Sequence, residues 1–358
     1  MSASAIGIGV VGYGYWGPNM VRNIVESQHF DLCGLCERDE QRIDEFQARY
    51  PDVRVERVFE AVLRDPSVDA VAIATPPHTH FELVSRALEA GKHVLVEKPL
   101  APTSEEATQL AKLAAAEGLV LLPGHTFVYS PSVDKVRELI VEGEAGEIFF
   151  ITSSRMNLGR YQKDGVVLDL APHDLSILFC WLGQPLREVS ASGHCIFRDG
   201  VHETAFLTLS FEGNTKANIQ LSWLAPRKMR EMVVVGSRRM IQYLDTAPDE
   251  SVRIYDRGLD FSHQPANFGE YKLTYRAGDM VAPRIEPREP LALELDDFAE
   301  AIRNGTSPRS DAEFGLQIVL ALEALEESLR RGGAPVAVKP VEQCLETSSS
   351  FVTTHYFE

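Results

Sequence analysis

Gly12-Tyr13-Gly14-Tyr15-Trp16-Gly17 forms a G-x-G-x-x-G run, and the chemistry of such a run is that of phosphate binding. A glycine turn leaves backbone N–H groups open. A helix that starts there adds the positive end of its dipole, and both attract a diphosphate. The run follows the apolar AIGIGVV and opens a helical pattern, which is the context a dinucleotide fingerprint needs. Gly12 permits the tight turn, Gly14 admits a pyrophosphate to the backbone, and Gly17 lets the helix pack on the strand. Tyr15 and Trp16 lie inside the run and are expected to line the same site. Glu37 stands twenty residues after Gly17, directly after the apolar LCGLC. A carboxylate there accepts from both adenine-ribose hydroxyls and repels a 2′-phosphate, so NAD is favoured over NADP. Arg38 keeps NADP as the lesser alternative, because it could pair with that phosphate or merely stack on adenine.

Two other spacings carry less. Cys33 and Cys36 make a C-x-x-C within DLCGLCE, which reads as a buried strand. Residues three apart on a strand face opposite ways, so a shared metal or disulfide is not expected. His78 and His80 make an H-x-H in Thr75-Pro76-Pro77-His78-Thr79-His80. With no third ligand nearby, no metal is expected there.

The elements that must hold these residues alternate. Over the first 120 residues or so, short apolar runs such as DAVAIAT and HVLVE are separated by amphipathic segments such as HFELVSRALEAG and SEEATQLAKLAAAEG. That alternation means βαβ units and a parallel sheet covered on both faces. Beyond Gly124 the texture changes. A helix over PHDLSILFCWLG, with Pro172 near its start and Gly183 past its end, leads into a meander of strand-length segments divided by turn signals. The expected fold is a Rossmann domain over 1–123 and an α/β domain over 124–340 built on a large, mostly antiparallel open sheet, with a tail over 341–358. Residues 247–290 read as irregular, followed by two closing helices. The length of 358 residues suits two domains. A formal net charge of −17 argues against nucleic acid as partner, though not against a phosphorylated small molecule. No run is apolar enough for a membrane span, and MSASAIGIGVVGYG lacks a basic leader, so a cytoplasmic protein with no membrane partner is expected.

IGVVGYGYWGPN, AIATPPHTH, VLVEKPLA, GHTFVYSP and LDLAPHDLS occur in an order that resembles the glucose–fructose oxidoreductase, inositol dehydrogenase and rhizopine catabolism (Gfo/Idh/MocA) family, over residues 6 to about 335. The resemblance implies an oxidoreductase of the CH–OH class that uses NAD or NADP on sugars, inositols or nucleotide sugars. It implies that Lys98 of E-K-P, and Asp169 and His173 of D-x-x-x-H, line the reacting centre. It places Thr75, Pro76, His78 and His80 along the nicotinamide half of the cofactor, with Glu97 beside Lys98. It also implies a homodimer or homotetramer formed through the C-terminal sheet.

Oxidation of a secondary alcohol needs a base for the hydroxyl proton and a polar or cationic group on the oxygen. His173 suits the base, because its ordinary pKa is near the working pH. Lys98, at a strand end, suits the oxygen, and Asp169 suits a neighbouring hydroxyl or the imidazole. Many family members carry a second Asp three residues after the His; here that position is Ser176, and Asp174 follows His173 directly. Tyr129 and Asn157 are candidates for sugar hydroxyls, and Arg155, Arg160 and Lys163 for a phosphate or carboxylate. Trp223 and the segment from Pro226 to Arg230 suit either a site or an interface. The motifs most resemble those of enzymes that oxidise the 3-hydroxyl of nucleotide-linked amino sugars. A free sugar, glycoside or inositol is the alternative substrate, in either redox direction. A non-catalytic NAD-binding sensor is the rival from a different class.

Overall fold

The computed structural model describes residues 4–159, 163–261 and 273–346. The chain divides into two compact units. The first holds the described residues of Met1–Gly124, Leu295–Leu320 and Val338–Glu358, and the second holds His125–Glu294 and Ala321–Ala337.

In the first unit, β1 (Ile6–Val11) is buried along its whole length. It is followed by α1 (Gly17–Glu26), β2 (Phe30–Cys36), α2 (Glu40–Arg49), β3 (Val55–Glu56) and α3 (Phe59–Leu63). Then come β4 (Ala70–Ile73), α4 (His80–Glu89), β5 (His93–Glu97), α5 (Ser104–Glu117) and β6 (Leu121–Gly124). The strands pair in the order β3-β2-β1-β4-β5-β6, all parallel. Strand order reverses beside β1, and in such sheets ligands bind outside the carboxyl ends of the strands at that point. Local chemistry sets the helix limits. The Asp39 and Thr103 side chains accept from the N–H groups of Arg42 and Glu106 at the starts of α2 and α5, and Gly118 closes α5 at φ +66.

The second unit begins with α6 (Pro131–Val141), β7 (Ile148–Met156) and α7 (Gly165–Leu182). The meander follows as β8 (Leu186–His194), β9 (Thr204–Phe211), β10 (Lys216–Ser222), β11 (Met229–Gly236) and β12 (Met240–Leu244). A hairpin of β13 (Val252–Phe261) and β14 (Leu273–Val281) extends it. After α8 (Pro290–Asn304) and α9 (Ala312–Arg330), β15 (Val336–Ala337) pairs with β8, and α10 (Val341–Glu346) ends the described chain. The nine-stranded sheet runs β14-β13-β12-β11-β7-β10-β9-β8-β15, and its central β7–β10 pair is parallel while the other pairs are antiparallel. Alternation decides its faces: Ile151, Leu207, Ile219, Val234 and Ile241 point inward, and Phe150, Phe206 and Thr208 point out.

Six expectations need correction. The helix read from Pro172 starts seven residues earlier, at Gly165, and Pro172 lies inside it. A proline there costs a backbone hydrogen bond, but 67% of α7 is buried, and that packing outweighs the local penalty. The same burial explains why a helix apolar enough for a membrane span is a core helix here. Residues 247–290 contain the β13–β14 hairpin, whose pairing is long-range and hidden from a local reading. Val341–Glu346 is helical, and its Val341, Cys344 and Leu345 pack against the first core. Leu316, Val319 and Leu320 also belong to that core, and Phe298 stacks on Phe30 with centroids 6.0 Å apart, so residues 295–320 do not stay with the second domain. Finally, the parity argument for Cys33 and Cys36 fails, because the β1–β2 register shifts past Cys33 and both thiols pack at one cluster. They are free thiols nonetheless, and burial pushes Cys36 up to about 11, away from the reactive thiolate.

Candidate active site

In the first unit, the glycine run turns at the carboxyl end of β1. Gly12 sits at φ +91, and a Cβ there would lie 2.9 Å from the Ala74 carbonyl oxygen. At Gly17 a Cβ would come within 2.6 Å of the Gly12 carbonyl oxygen, so only glycine lets α1 start this close to β1. A Cβ on Gly14 would meet nothing nearer than the Arg42 guanidinium at 3.7 Å, which leaves the backbone approachable. No side chain caps the N-terminus of α1. Trp16 Nε1 is buried there without a hydrogen-bond partner among the described residues, and Tyr15 is 84% exposed. The open backbone and the orphaned indole N–H suit an anionic group.

Glu37 follows β2 with its carboxylate held from three sides. It accepts from the backbone N–H groups of Tyr13 (2.7 Å), Arg38 (2.7 Å) and Asp39 (3.1 Å), with Arg42 Nη1 at 3.6 Å. Burial alone would raise its pKa, but the three N–H groups and the guanidinium prevail and lower it. A fixed carboxylate at this strand end fits ribose hydroxyls, and exposed Arg38 beside it is free of that network's side-chain bonds. These residues fit NAD: the glycine turn and Trp16 for the diphosphate, Glu37 for the adenine ribose.

The loop after β4 carries Thr75, half-buried, with Pro76 and His78 exposed. The Thr75 hydroxyl shares a 2.7 Å hydrogen bond with that of Thr79. His80 departs from its expected place on the cofactor. It is fully buried, with Nδ1 2.8 Å from the Pro99 carbonyl oxygen and Nε2 2.9 Å from that of Thr75. Both ring nitrogens are occupied, and burial lowers its pKa. Glu97 ends β5 immediately before Lys98. Its Oε1 is buried against Gly124 without a hydrogen-bond partner, and burial raises the carboxyl to about 7.

In the second unit, α7 carries Asp169 and His173 one turn apart, both half-buried in a mostly apolar helix. Trp223, just past β10, donates Nε1–H to Asp169 Oδ2 at 2.9 Å. His173 meets the Phe127 ring edge-on at 5.0 Å. Arg155 and Arg230 lie over that same ring, 4.6 and 5.7 Å from its centroid. Trp223 and Arg230 were open alternatives in sequence, and Phe127 carried no signal beyond its place in GHTFVYSP.

Arg155 and Tyr129 do not stand where the sequence suggested. Arg155 is 3% exposed, and its Nε donates to Asp174 Oδ2 at 2.5 Å, while Ser153 Oγ donates to Oδ1 at 2.7 Å. β7 alternates, and Arg155 falls on its inward face. The buried guanidinium is therefore a partner for Asp174, not for a substrate phosphate. Asp174, in turn, does not replace the missing second acid. Ser176 hydrogen-bonds the His173 carbonyl within the helix at 2.8 Å. Tyr129 is 1% exposed and belongs to the core. Asn157 is half-buried past the end of β7 and Lys163 is exposed. Arg160 lies outside the described residues.

Residues 6–125 match the oxidoreductase family Gfo/Idh/MocA, NAD-binding Rossmann fold, and residues 133–242 match the C-terminal domain of that family. A D-xylose 1-dehydrogenase (NADP+) from Haloferax volcanii is 26% identical over 91% of this chain and 98% of its own. A dTDP-3,4-didehydro-2,6-dideoxy-α-D-glucose 3-reductase from Saccharopolyspora spinosa is 31% identical over 53% of this chain and 59% of its own. Among solved structures, a UDP-N-acetylglucosamine 3-dehydrogenase from Acidithiobacillus ferrooxidans superposes with a TM-score of 0.76 at 24% identity, covering 92% of this chain and 99% of that one.

Proposed function

Because the chain belongs to the Gfo/Idh/MocA family of NAD(P)-dependent oxidoreductases, we propose that it oxidises the 3-hydroxyl of a nucleotide-linked sugar, with NAD as cofactor. The observation that carries the reaction type is the Asp169–His173 pair on α7, with Asp169 held by the Trp223 indole. Bound NAD supplies the hydride acceptor. His173 takes the hydroxyl proton. Lys98 donates to the reacting oxygen as negative charge develops, and its cationic form favours the alkoxide. Asp169, already fixed by Trp223, accepts from a neighbouring hydroxyl and sets the sugar's orientation. Asn157 and Lys163 serve the substrate's polar groups. The half-exposed Phe150 and Phe206 on the outer sheet face support a homodimer or homotetramer formed through that face.

A second reading has its own support. The Arg155 guanidinium is buried with its Nε on Asp174, which argues against it as a phosphate ligand. The D-xylose dehydrogenase matches over nearly its whole length. A free sugar or polyol is therefore the alternative substrate, with the same residues in the same roles.

Absorbance at 340 nm decides among these readings. Protein and NAD or NADP are mixed with UDP-N-acetylglucosamine and its uronic acid, pentoses, hexoses, glycosides and inositols. NADH formation with the nucleotide sugars supports the first reading, and formation only with free sugars or inositols replaces it with the second. His173→Ala is expected to lower kcat by about 10²–10⁴-fold, the usual worth of a general base, while NADH binding stays within about twofold. Undiminished turnover in that variant removes His173 from the mechanism. Tight NADH binding with no turnover in either direction favours a sensor or a substrate outside the panel.

A further inference from the structure

We infer that His80 is a positioning residue that ties the cofactor-side loop after β4 to the turn carrying Lys98, so that one buried imidazole sets both. β4 and β5 are neighbours in the sheet, with Ile73 opposite Val96. Their carboxyl ends diverge into two separate turns, one through Thr75 and one through Lys98-Pro99. The ladder stops at the strand ends, so nothing in it fixes those turns to each other. His80, the first residue of α4, lies within hydrogen-bond distance of a carbonyl in each: Pro99 at 2.8 Å and Thr75 at 2.9 Å. His80 is completely buried, so bulk solvent does not compete for either contact.

The tie reaches further. Thr75 Cγ2 and the Ala74 carbonyl border the position a Cβ would take on Gly12, each at 2.9 Å, so the Thr75 loop also backs the glycine turn. The glycine turn, the Thr75 loop and the Lys98 turn are thereby held as one surface. A neutral imidazole donates to one of the two carbonyl oxygens, because its other nitrogen is itself an acceptor, and only the imidazolium donates to both. In either form the ring fills the space between the two turns and hydrogen-bonds at least one of them, which an aliphatic side chain cannot do. His80 touches neither cofactor nor reacting atoms in this role. It acts through Thr75 and Lys98, and to that extent the inference rests on the reading of Lys98 given above.

The test does not need the substrate. Amine-specific labelling of Lys98, read by mass spectrometry, is compared with that of Lys92 in the same protein. Lys92 stands just before β5 with Nζ 2.6 Å from the Val68 carbonyl oxygen, so general loosening changes both lysines alike. His80→Leu is expected to change the Lys98/Lys92 labelling ratio and to weaken NADH binding, each by about fivefold, the factor one lost hydrogen bond of about 1 kcal/mol is worth. His80→Gln, which keeps one donor, is expected to recover part of both. A ratio and an NADH affinity unchanged in His80→Leu overturn the inference, as does equal recovery of neither property in His80→Gln. If His80→Leu does not fold, His80→Phe takes its place in the same comparison, and wild-type values in it overturn the inference. If wild-type protein fails to bind NADH, the proposed function falls, while the labelling ratio still decides whether His80 sets Lys98.

Discussion

Asp174 and Arg155 are opposite charges taken out of water together, 1% and 4% exposed at their side chains. Each is costly alone and tolerable as a hydrogen-bonded pair, with Ser153 satisfying the second carboxylate oxygen. Arg155 lies over the Phe127 ring, which also makes a T-shaped contact with His173, so the integrity of the pair bears on the base as well as on stability. Arg155→Leu strands Asp174 in the core and is expected to cost about 3–5 kcal/mol in a urea unfolding experiment. The double variant Arg155→Met/Asp174→Leu is expected to recover most of that loss. If the single and double variants are equally unstable, the pair is not what organises this region. Both residue types were visible in the sequence. Their burial was not, because it depends on which face of β7 meets α7, and a one-residue shift in register would reverse it.

At the scale of elements, the start of α1 shows how little space the glycine run leaves. A Cβ on Gly17 would sit 2.6 Å from a main-chain oxygen, and a backbone atom cannot move aside as a side-chain end can. Gly17→Ala therefore has to tilt α1 away from β1 and carry its N–H groups off the diphosphate position. The expected result is about tenfold weaker NADH binding, measured by fluorescence titration, with far-UV circular dichroism unchanged. Wild-type affinity in that variant would mean that the helix N-terminus does not contribute to cofactor binding. This element was legible early, since an apolar strand, three spaced glycines and a helical pattern are all local signals. α7 was read less well. Pro172 suggested a helix start, whereas the helix runs through it because burial of its neighbours outweighs the lost hydrogen bond.

At the scale of the whole molecule, the sequence order of the two units is interrupted. Residues Leu295–Leu320 return to the first unit, where Phe298, Leu316, Val319 and Leu320 are buried. Each such side chain contributes about 1.5–3 kcal/mol when buried, so the four together rival the net stability of a typical domain, about 5–15 kcal/mol. A fragment ending at Gly124 is therefore expected to lack fixed tertiary structure, with weak near-UV circular dichroism and no cooperative melting transition. A fragment that melts cooperatively and binds NADH would show that the returning segment is dispensable.

The sequence by itself determined the glycine turn and Glu37, the parallel α/β order of the first half, the strand-rich second half, and Lys98, Asp169 and His173 as the residues to ask about. Those features are written in local spacing, in periodicity, or in short motifs that keep their order along the chain. The tertiary structure alone decided that Trp223 holds Asp169, that Arg155 and Tyr129 belong to the interior, that His80 joins two turns, and that the last helices serve the first core. Each of these depends on contacts between residues far apart in sequence. The side-chain types permit many such contacts, and packing selects one.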